Sequence, residues 1–285
     1  MNKGINFKRM GIKERAFRLF FFFIVIVLCF IFLSPFLIMV TTSFKTNADA
    51  FTVPVKIFPR KWIFDNYPHA FNKIPYWRYM ANTIFITLFC VIGQLFSTPL
   101  VSYSISKIKW KGAKIINTLI FSTMMIPVTV TMVPLYRIYA KLGLLNTYVP
   151  LILPSLFGSS FYIVIMRQFF YDIPSSLLEA ATIDGANEWQ RYWKIAIPLC
   201  KPVLTTVGIY AFLRSWSDYL MPMLFINETR MYTLSLGLQQ YMNEYTVDWT
   251  LLMAATTIFV LPVIIVFIIF QKNFVQGVTS GGVKG

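Results

Sequence analysis

The sequence predicts an all-α membrane protein with six transmembrane helices and both termini on the cytoplasmic side. Three features carry that expectation. Of the 285 residues, 57% are hydrophobic and only 13% are charged, too few polar side chains to cover a soluble monomer. The apolar residues gather into runs long enough to cross a bilayer. Basic residues crowd the start of the chain and one short later loop, which is how membrane proteins mark their cytoplasmic side.

The first run extends from Leu19 to Val40, interrupted only by Ser34 and Pro35. It is too long for a signal-peptide core and lacks a small-residue cleavage site, so it reads as a retained span over 19–40. Residues 1–18 carry Lys3, Lys8, Arg9, Lys13, Arg15 and Arg18 against Glu14 alone, a density that holds this segment in the cytosol. Thr41 to Ala81 then lies outside, its basic residues spread over a longer stretch. The second span is expected at 82–104, and Lys107, Lys109, Lys111 and Lys114 bring the chain back to the cytosol. The third covers 115–135, with Pro127 and Pro134 as kinks, and the fourth 148–166. Four crossings from an inside start return Arg167 to the cytosol. Spans at 198–225 and 249–270 follow, then a cytoplasmic tail over 271–285. No repeat and no Gly- or Ser-rich linker divides the chain, so 19–270 reads as one membrane domain.

Between the fourth and fifth spans lies a polar island, Glu179 to Pro198. Ser176 with Glu179 fits a capping box, and Gly185 suits the left-handed end of a short helix. Asn187 with Gln190 fits a second box, so a second helix starts at once. Trp189, Tyr192 and Trp193 fall at helical spacing and form an aromatic face. The expectation is helix, glycine turn, helix.

Glu179, Ala180, Ala181, Gly185, Ile195 and Pro198 stand at the spacing of the signature loop of ABC-importer permeases, extended by Asp184 and Ala186. This stretch resembles that loop, with Ile197 where the family usually has Leu. Further stretches resemble the carbohydrate-uptake branch, specifically its smaller, maltose-type permease partner: Ser43-Phe44-Lys45, Asp65-Asn66-Tyr67, Ile126-Pro127, Leu142-Gly143-Leu144-Leu145-Asn146-Thr147 and Trp216-Ser217-Asp218-Tyr219. Ser217 departs from the Asn more usual in that branch. The resemblance implies a non-catalytic permease subunit of an ATP-driven sugar importer, for an oligosaccharide by its branch. It implies a coupling helix between spans four and five, with Glu179, Ala180, Ala181, Asp184, Gly185, Ala186 and Trp189 as ATPase-docking residues. The implied partners are a second permease, two ATP-binding subunits and an extracytoplasmic solute-binding protein. ATP and magnesium would be used by those partners, since the chain has no Gly-x-x-x-x-Gly-Lys-Ser/Thr phosphate loop.

Arg214 and Asp218, expected one turn apart on the fifth span, are costly in a membrane and mark a candidate translocation path, with Trp216 and Tyr219 beside them. The other reading of the pair is a self-satisfied ion pair near the outer interface or a contact to the partner permease. The net charge of +15 fits anionic lipid and positive-inside loops rather than nucleic acid. Cys29, Cys90 and Cys200 have no paired spacing and His69 has no second ligand nearby, so no cofactor and no metal site is expected. An ABC permease for another solute would share the docking loop. An ion-gradient-driven secondary transporter would instead show charges in several spans and inverted repeats.

Overall fold

A computed structural model describes residues 12–54, 56–242 and 247–280. In chain order the helices are α1 (Ile12–Ser43), α2 (Asn47–Ala50), α3 (Asn66–Lys73), α4 (Tyr76–Lys107), α5 (Ala113–Met124), α6 (Val128–Lys141), α7 (Val149–Ile152), α8 (Ser160–Asp172) and α9 (Ser175–Ile183). They continue as α10 (Glu188–Arg191), α11 (Ile197–Leu199), α12 (Lys201–Trp216), α13 (Leu220–Phe225), α14 (Leu234–Gly237) and α15 (Trp249–Ser280). Among the described residues four helical stretches are long and apolar enough to cross a membrane: Ala16–Ser43, Tyr76–Lys107, Val149–Asp172 and Trp249–Gln271. Two bent pairs, α5 with α6 and Glu188–Leu199 with α12, raise the number of candidate crossings to six if each pair counts as one.

Three expected spans are not single helices; the fourth, expected over 148–166, is α7, the 3₁₀ turn Leu153–Phe157 and α8. The third breaks after Met124 and resumes at Val128 with a bend of 105°. Pro127 stands extended at that junction (φ −60°, ψ 138°). A proline disfavours the helical conformation in the residue before it, here Ile126, so α5 ends and α6 starts afresh. Pro134, also expected to kink, lies inside α6, which runs on to Lys141. The fifth span, expected over 198–225, begins at Lys201 after a 77° bend and stops at Trp216. Ser217, Asp218 and Tyr219 are outside any helix, and α13 is a separate short piece.

The chain forms two compact units, one from the residues up to Ala70 with the stretch ending at Thr257, the other from Phe71 onward with the stretch from Ile258. In the first, α1 exposes apolar side chains along most of its length, as a helix solvated by lipid must. Beyond it the chain is tied by polar contacts. Lys45 is only 2% exposed and its Nζ donates to the Lys56 carbonyl at 2.6 Å. Asn66 Nδ2 donates to the carbonyls of Ser43 and Lys45, both at 2.8 Å. Phe44 packs against Trp62, Phe64 and Tyr67.

The second unit is built around α4, which packs against α12, α8, α14 and the 3₁₀ turn Leu153–Phe157. Its buried face is a column of small polar residues: Thr83, Thr87, Gly93, Ser97, Thr98 and Ser102. Small side chains let helix backbones approach, and their hydroxyls supply bonds that apolar surroundings cannot. Ser97 Oγ donates to the Gly93 carbonyl at 2.7 Å and also reaches Ser155 O at 3.3 Å, while Ser102 Oγ reaches Ile163 O at 3.1 Å. Leu234 N–H donates to Thr83 Oγ1 at 2.8 Å, which fixes α14 on α4. The same contact requires a glycine: a Cβ on Gly237 would lie 2.2 Å from the ring of Tyr79, which is itself buried. Gly237→Val should therefore cost about 1–3 kcal/mol, read as a lowered thermal-unfolding midpoint in detergent. An unchanged midpoint would mean that the Tyr79 ring yields freely and α14 is not held as described.

Candidate functional site

The polar island forms two short helices around a glycine turn. The end of α9 is closed by Gly185 N–H to Thr182 O at 3.0 Å and Ala186 N–H to Ala181 O at 2.9 Å. This is the paired pattern of a Schellman cap, which needs a left-handed residue. Gly185 supplies it with φ +82°. Asp184 is the last residue before that turn. At the start of α10, Asn187 Oδ1 accepts the Gln190 N–H at 2.8 Å and Gln190 Oε1 accepts the Asn187 N–H at 3.0 Å. The second expected capping box is thus present. The first is not: α9 starts two residues earlier, at Ser175, with Pro174 in the cap position and no side-chain cap bond. Pro174 needs no N–H partner and its fixed φ leads into the helix without that box.

The aromatic trio does form one cluster: the rings of Trp189, Tyr192 and Trp193 lie 5.1–5.9 Å apart. Only Tyr192 is buried, edge-on to Tyr103 of α4 at 5.2 Å, whereas Trp189 remains 59% exposed and Trp193 is also exposed. Tyr192–Ala196 is a π turn. Glu179, Ala180, Asp184 and Gly185 are exposed, with Ala181 and Ala186 half-buried.

What holds the island to the rest of its unit comes from residues far away in sequence. Tyr103 Oη donates to Glu188 Oε2 at 3.3 Å, and Lys107 Nζ donates to Ile173 O at 2.7 Å. Arg191 pairs with Glu188 and donates to Thr182 Oγ1 at 2.8 Å, bridging α10 to α9. Beneath them Tyr103, Met166, Phe170, Tyr192, Ala196 and Val203 make one apolar cluster. Nothing in the local pattern pointed to Tyr103, Lys107 or Arg191. The one signal that could have been used is Glu188, an acidic residue in the first turn directly after the Asn187 cap.

A second candidate place is a cavity of about 360 Å³ inside the same unit, lined by α4, α6, α12, α13 and the turn before α8. Arg214 and Asp218 both line it, as do Gln94 and Tyr162, which the sequence reading did not single out. Arg214 and Asp218 do not pair as expected. Among the described residues no ion pair joins them, because α12 ends at Trp216 and Asp218 no longer shares its helical face. Asp218 instead accepts the Met221 N–H at 3.2 Å, at the start of α13. Trp216 is 3% exposed and points away from the cavity into packing. Its ring stacks on Phe259 at 5.6 Å and its Nε1 donates to the Phe259 carbonyl at 3.1 Å. Tyr219 donates its hydroxyl to Gln239 Oε1 at 2.8 Å and does not line the cavity.

The comparisons with known proteins can be set against this geometry. A family model described as "binding-protein-dependent transport system inner membrane component" matches residues 97–280. The chain is 32% identical over 280 residues to the arabinooligosaccharides transport system permease protein AraQ of Bacillus subtilis, covering 97% of this chain and 98% of that one. It is 32% identical to the sulfoquinovosyl glycerol transport system permease protein SmoH of Agrobacterium fabrum, with 89% of each chain covered. Among solved structures it resembles the crystal structure of a bacterial ABC transporter involved in the import of the acidic polysaccharide alginate. There the TM-score is 0.80 and the identity 27%, over 93% of this chain and 99% of that one.

The glycine turn yields a local prediction. Gly185→Val forces a branched residue into the left-handed region, which costs about 1–2 kcal/mol. Amide hydrogen exchange at residues 185–187 should then speed by about tenfold, since 1.4 kcal/mol is a factor of ten. Unchanged exchange would mean that the cap does not depend on Gly185.

Proposed function

The chain belongs to the family of binding-protein-dependent transport system inner membrane components, and from that premise we propose that it is a sugar-importer permease subunit that couples to ATPases through residues 174–198. The full-length similarity to AraQ and the fold likeness to the alginate importer support the sugar reading, with an oligosaccharide or glycoside as cargo. The observation that carries the coupling is the build of the island. It exposes Glu179, Asp184 and Trp189 on its outer side while Tyr103, Lys107 and Tyr192 fix its inner side to α4 and the core. A push on such an element is passed on rather than absorbed.

In this reading the protein crosses the membrane six times. The bent pair α5 and α6 serves as the third span and α12 as the fifth, and both termini lie in the cytosol. Discontinuous spans are tolerated in a membrane where they are buried in protein or line a cavity, and α6 and α12 line one here. A second permease completes the path, two ATP-binding subunits supply energy, and an extracytoplasmic binding protein delivers the sugar. Glu179 is the charged contact across the joint with the ATPase. Arg214 and Asp218 face the path, and Trp216 stiffens the end of α12 behind them.

Closure of the ATP-binding subunits moves α9 and α10 together, because the Arg191 bridge and the Schellman turn join them. That movement reaches α4 through the Tyr103–Glu188 and Lys107–Ile173 bonds. The chain's own contribution is mechanical: it orients, transmits and lines, and the bond-breaking step belongs to its partners.

Two outcomes test this. Tagged wild-type protein purified from membranes should bring down a second permease and ATP-binding subunits, and their ATP hydrolysis should rise with sugar-loaded binding protein. Glu179→Lys and Gly185→Trp should keep the second permease but lose the ATPase or its sugar response. Wild-type protein that purifies alone and transports on an ion gradient would end the reading. Separately, Arg214→Ala should abolish uptake with assembly intact, and full uptake by that variant would remove Arg214 from the path.

A further inference from the structure

Gln94 lies in the middle of α4 and is 7% exposed. Its Oε1 accepts two hydrogen bonds, from the Ser159 N–H and from the Thr98 hydroxyl, both at 2.9 Å. A backbone N–H can only donate, so the atom facing Ser159 must be the amide oxygen and the flip of the side chain is fixed. The amide nitrogen is therefore the group left for the cavity that Gln94 lines. Among the described residues that nitrogen has no protein acceptor. That donor opens to the cavity, where a bound group can accept from it.

The other polar groups of the cavity complete a recognisable set. Arg214 is a second donor in the same lining. Asp218 is a carboxylate acceptor whose backbone bond to Met221 fixes its direction. Tyr139 and Tyr162 bring rings to the wall. An anion would meet Asp218 and a cation would meet Arg214, so neither suits the site. A neutral polyol suits both, because each hydroxyl can accept from one group and donate to another. The volume of about 360 Å³ falls at the lower end of the roughly 300–1,000 Å³ of small-molecule sites.

We propose that this cavity is a sugar-ring subsite within this subunit. Gln94 Nε2 and Arg214 donate to hydroxyl oxygens, Asp218 accepts from a hydroxyl, and the tyrosine rings limit the space. The proposal rests on the sugar-importer reading and deepens it. The permease described here contacts the cargo itself rather than only framing a path, and Gln94 becomes a positioning group for one ring of the chain in transit.

The test uses the complete importer, with its second permease, ATP-binding subunits and binding protein, in proteoliposomes. Labelled arabinotriose and maltotriose are the probes. Gln94→Glu keeps an oxygen for Ser159 and Thr98 but turns the cavity donor into an acceptor, and Tyr162→Phe removes one hydroxyl without changing the ring. Each variant should assemble and hydrolyse ATP at the basal wild-type rate. Uptake at saturating loaded binding protein should fall about tenfold or more for Gln94→Glu, and the ratio of the two sugars should change in both variants. Wild-type rates and an unchanged ratio in both variants would overturn the subsite. So would a loss of uptake that tracks loss of assembly or of basal hydrolysis, since that is the signature of packing. A wild-type importer that moves neither sugar is a different failure: it removes the sugar reading and the subsite with it.

Discussion

A chain in a bilayer cannot leave backbone or hydroxyl groups to water, and the second unit solves this along one helix. The small residues of α4 permit close approach, and several of their hydroxyls reach neighbouring segments, although among the described residues Thr87 Oγ1 has no hydrogen-bond partner. Ser97 takes up a carbonyl of the 3₁₀ turn at Ser155, Ser102 takes up Ile163 O of α8, and Thr83 accepts from α14. Other neighbours meet α4 elsewhere: Cys90 Sγ reaches Leu151 O of α7 at 3.4 Å, and Asn82 Nδ2 donates to Arg230 O at 3.1 Å.

The same helix continues beyond the apolar column to Tyr103 and Lys107, and there its chemistry changes. These two side chains are long and polar, and they reach out to Glu188 and to the Ile173 carbonyl. A single rigid element therefore has one end that packs and another that grips an exposed pair of short helices. The grip is modest in energy, on the order of a kcal/mol for each ordinary hydrogen bond. Its value lies in geometry, since the apolar cluster under Tyr192 supplies most of the adhesion and the polar bonds fix the angle.

Much of this was legible in the sequence, and the failures have physical causes. Charge asymmetry and run length placed the apolar stretches, and residue chemistry alone anticipated the Gly185 turn and the Asn187–Gln190 box, because caps and turns are short-range. The exact course of the bent stretches was not legible. Pro127 and Pro134 look alike in sequence, yet one sits at a helix start and the other inside α6. The first proposed capping box failed because Pro174 already began the helix. Arg214 and Asp218 have the spacing of a helical pair, but that spacing means nothing once the helix stops between them. Gln94 was not singled out from the sequence. A glutamine in an apolar run announces a polar need, but which atom faces the cavity depends on Ser159, far along the chain.

The placement of Gln94 and Tyr103 on one helix ties the two candidate places together. At about 100° per residue they stand roughly half a turn apart around the axis of α4 and about 13 Å apart along it. The cavity and the exposed helix pair thus lie on opposite sides of a single element. A displacement of α9 and α10 that drags Tyr103 must tilt or turn α4, and a tilt carries Gln94 the other way relative to its partners. Its bonds to Ser159 and Thr98 differ in this respect. Thr98 rides on α4 and moves with it, whereas Ser159 belongs to the turn before α8. The Ser159 bond is thus the one that strains when α4 moves against α8, and its loss frees the amide to rotate. On the proposed coupling role of α9 and α10, a push there can in that way change the donor presented to the cavity.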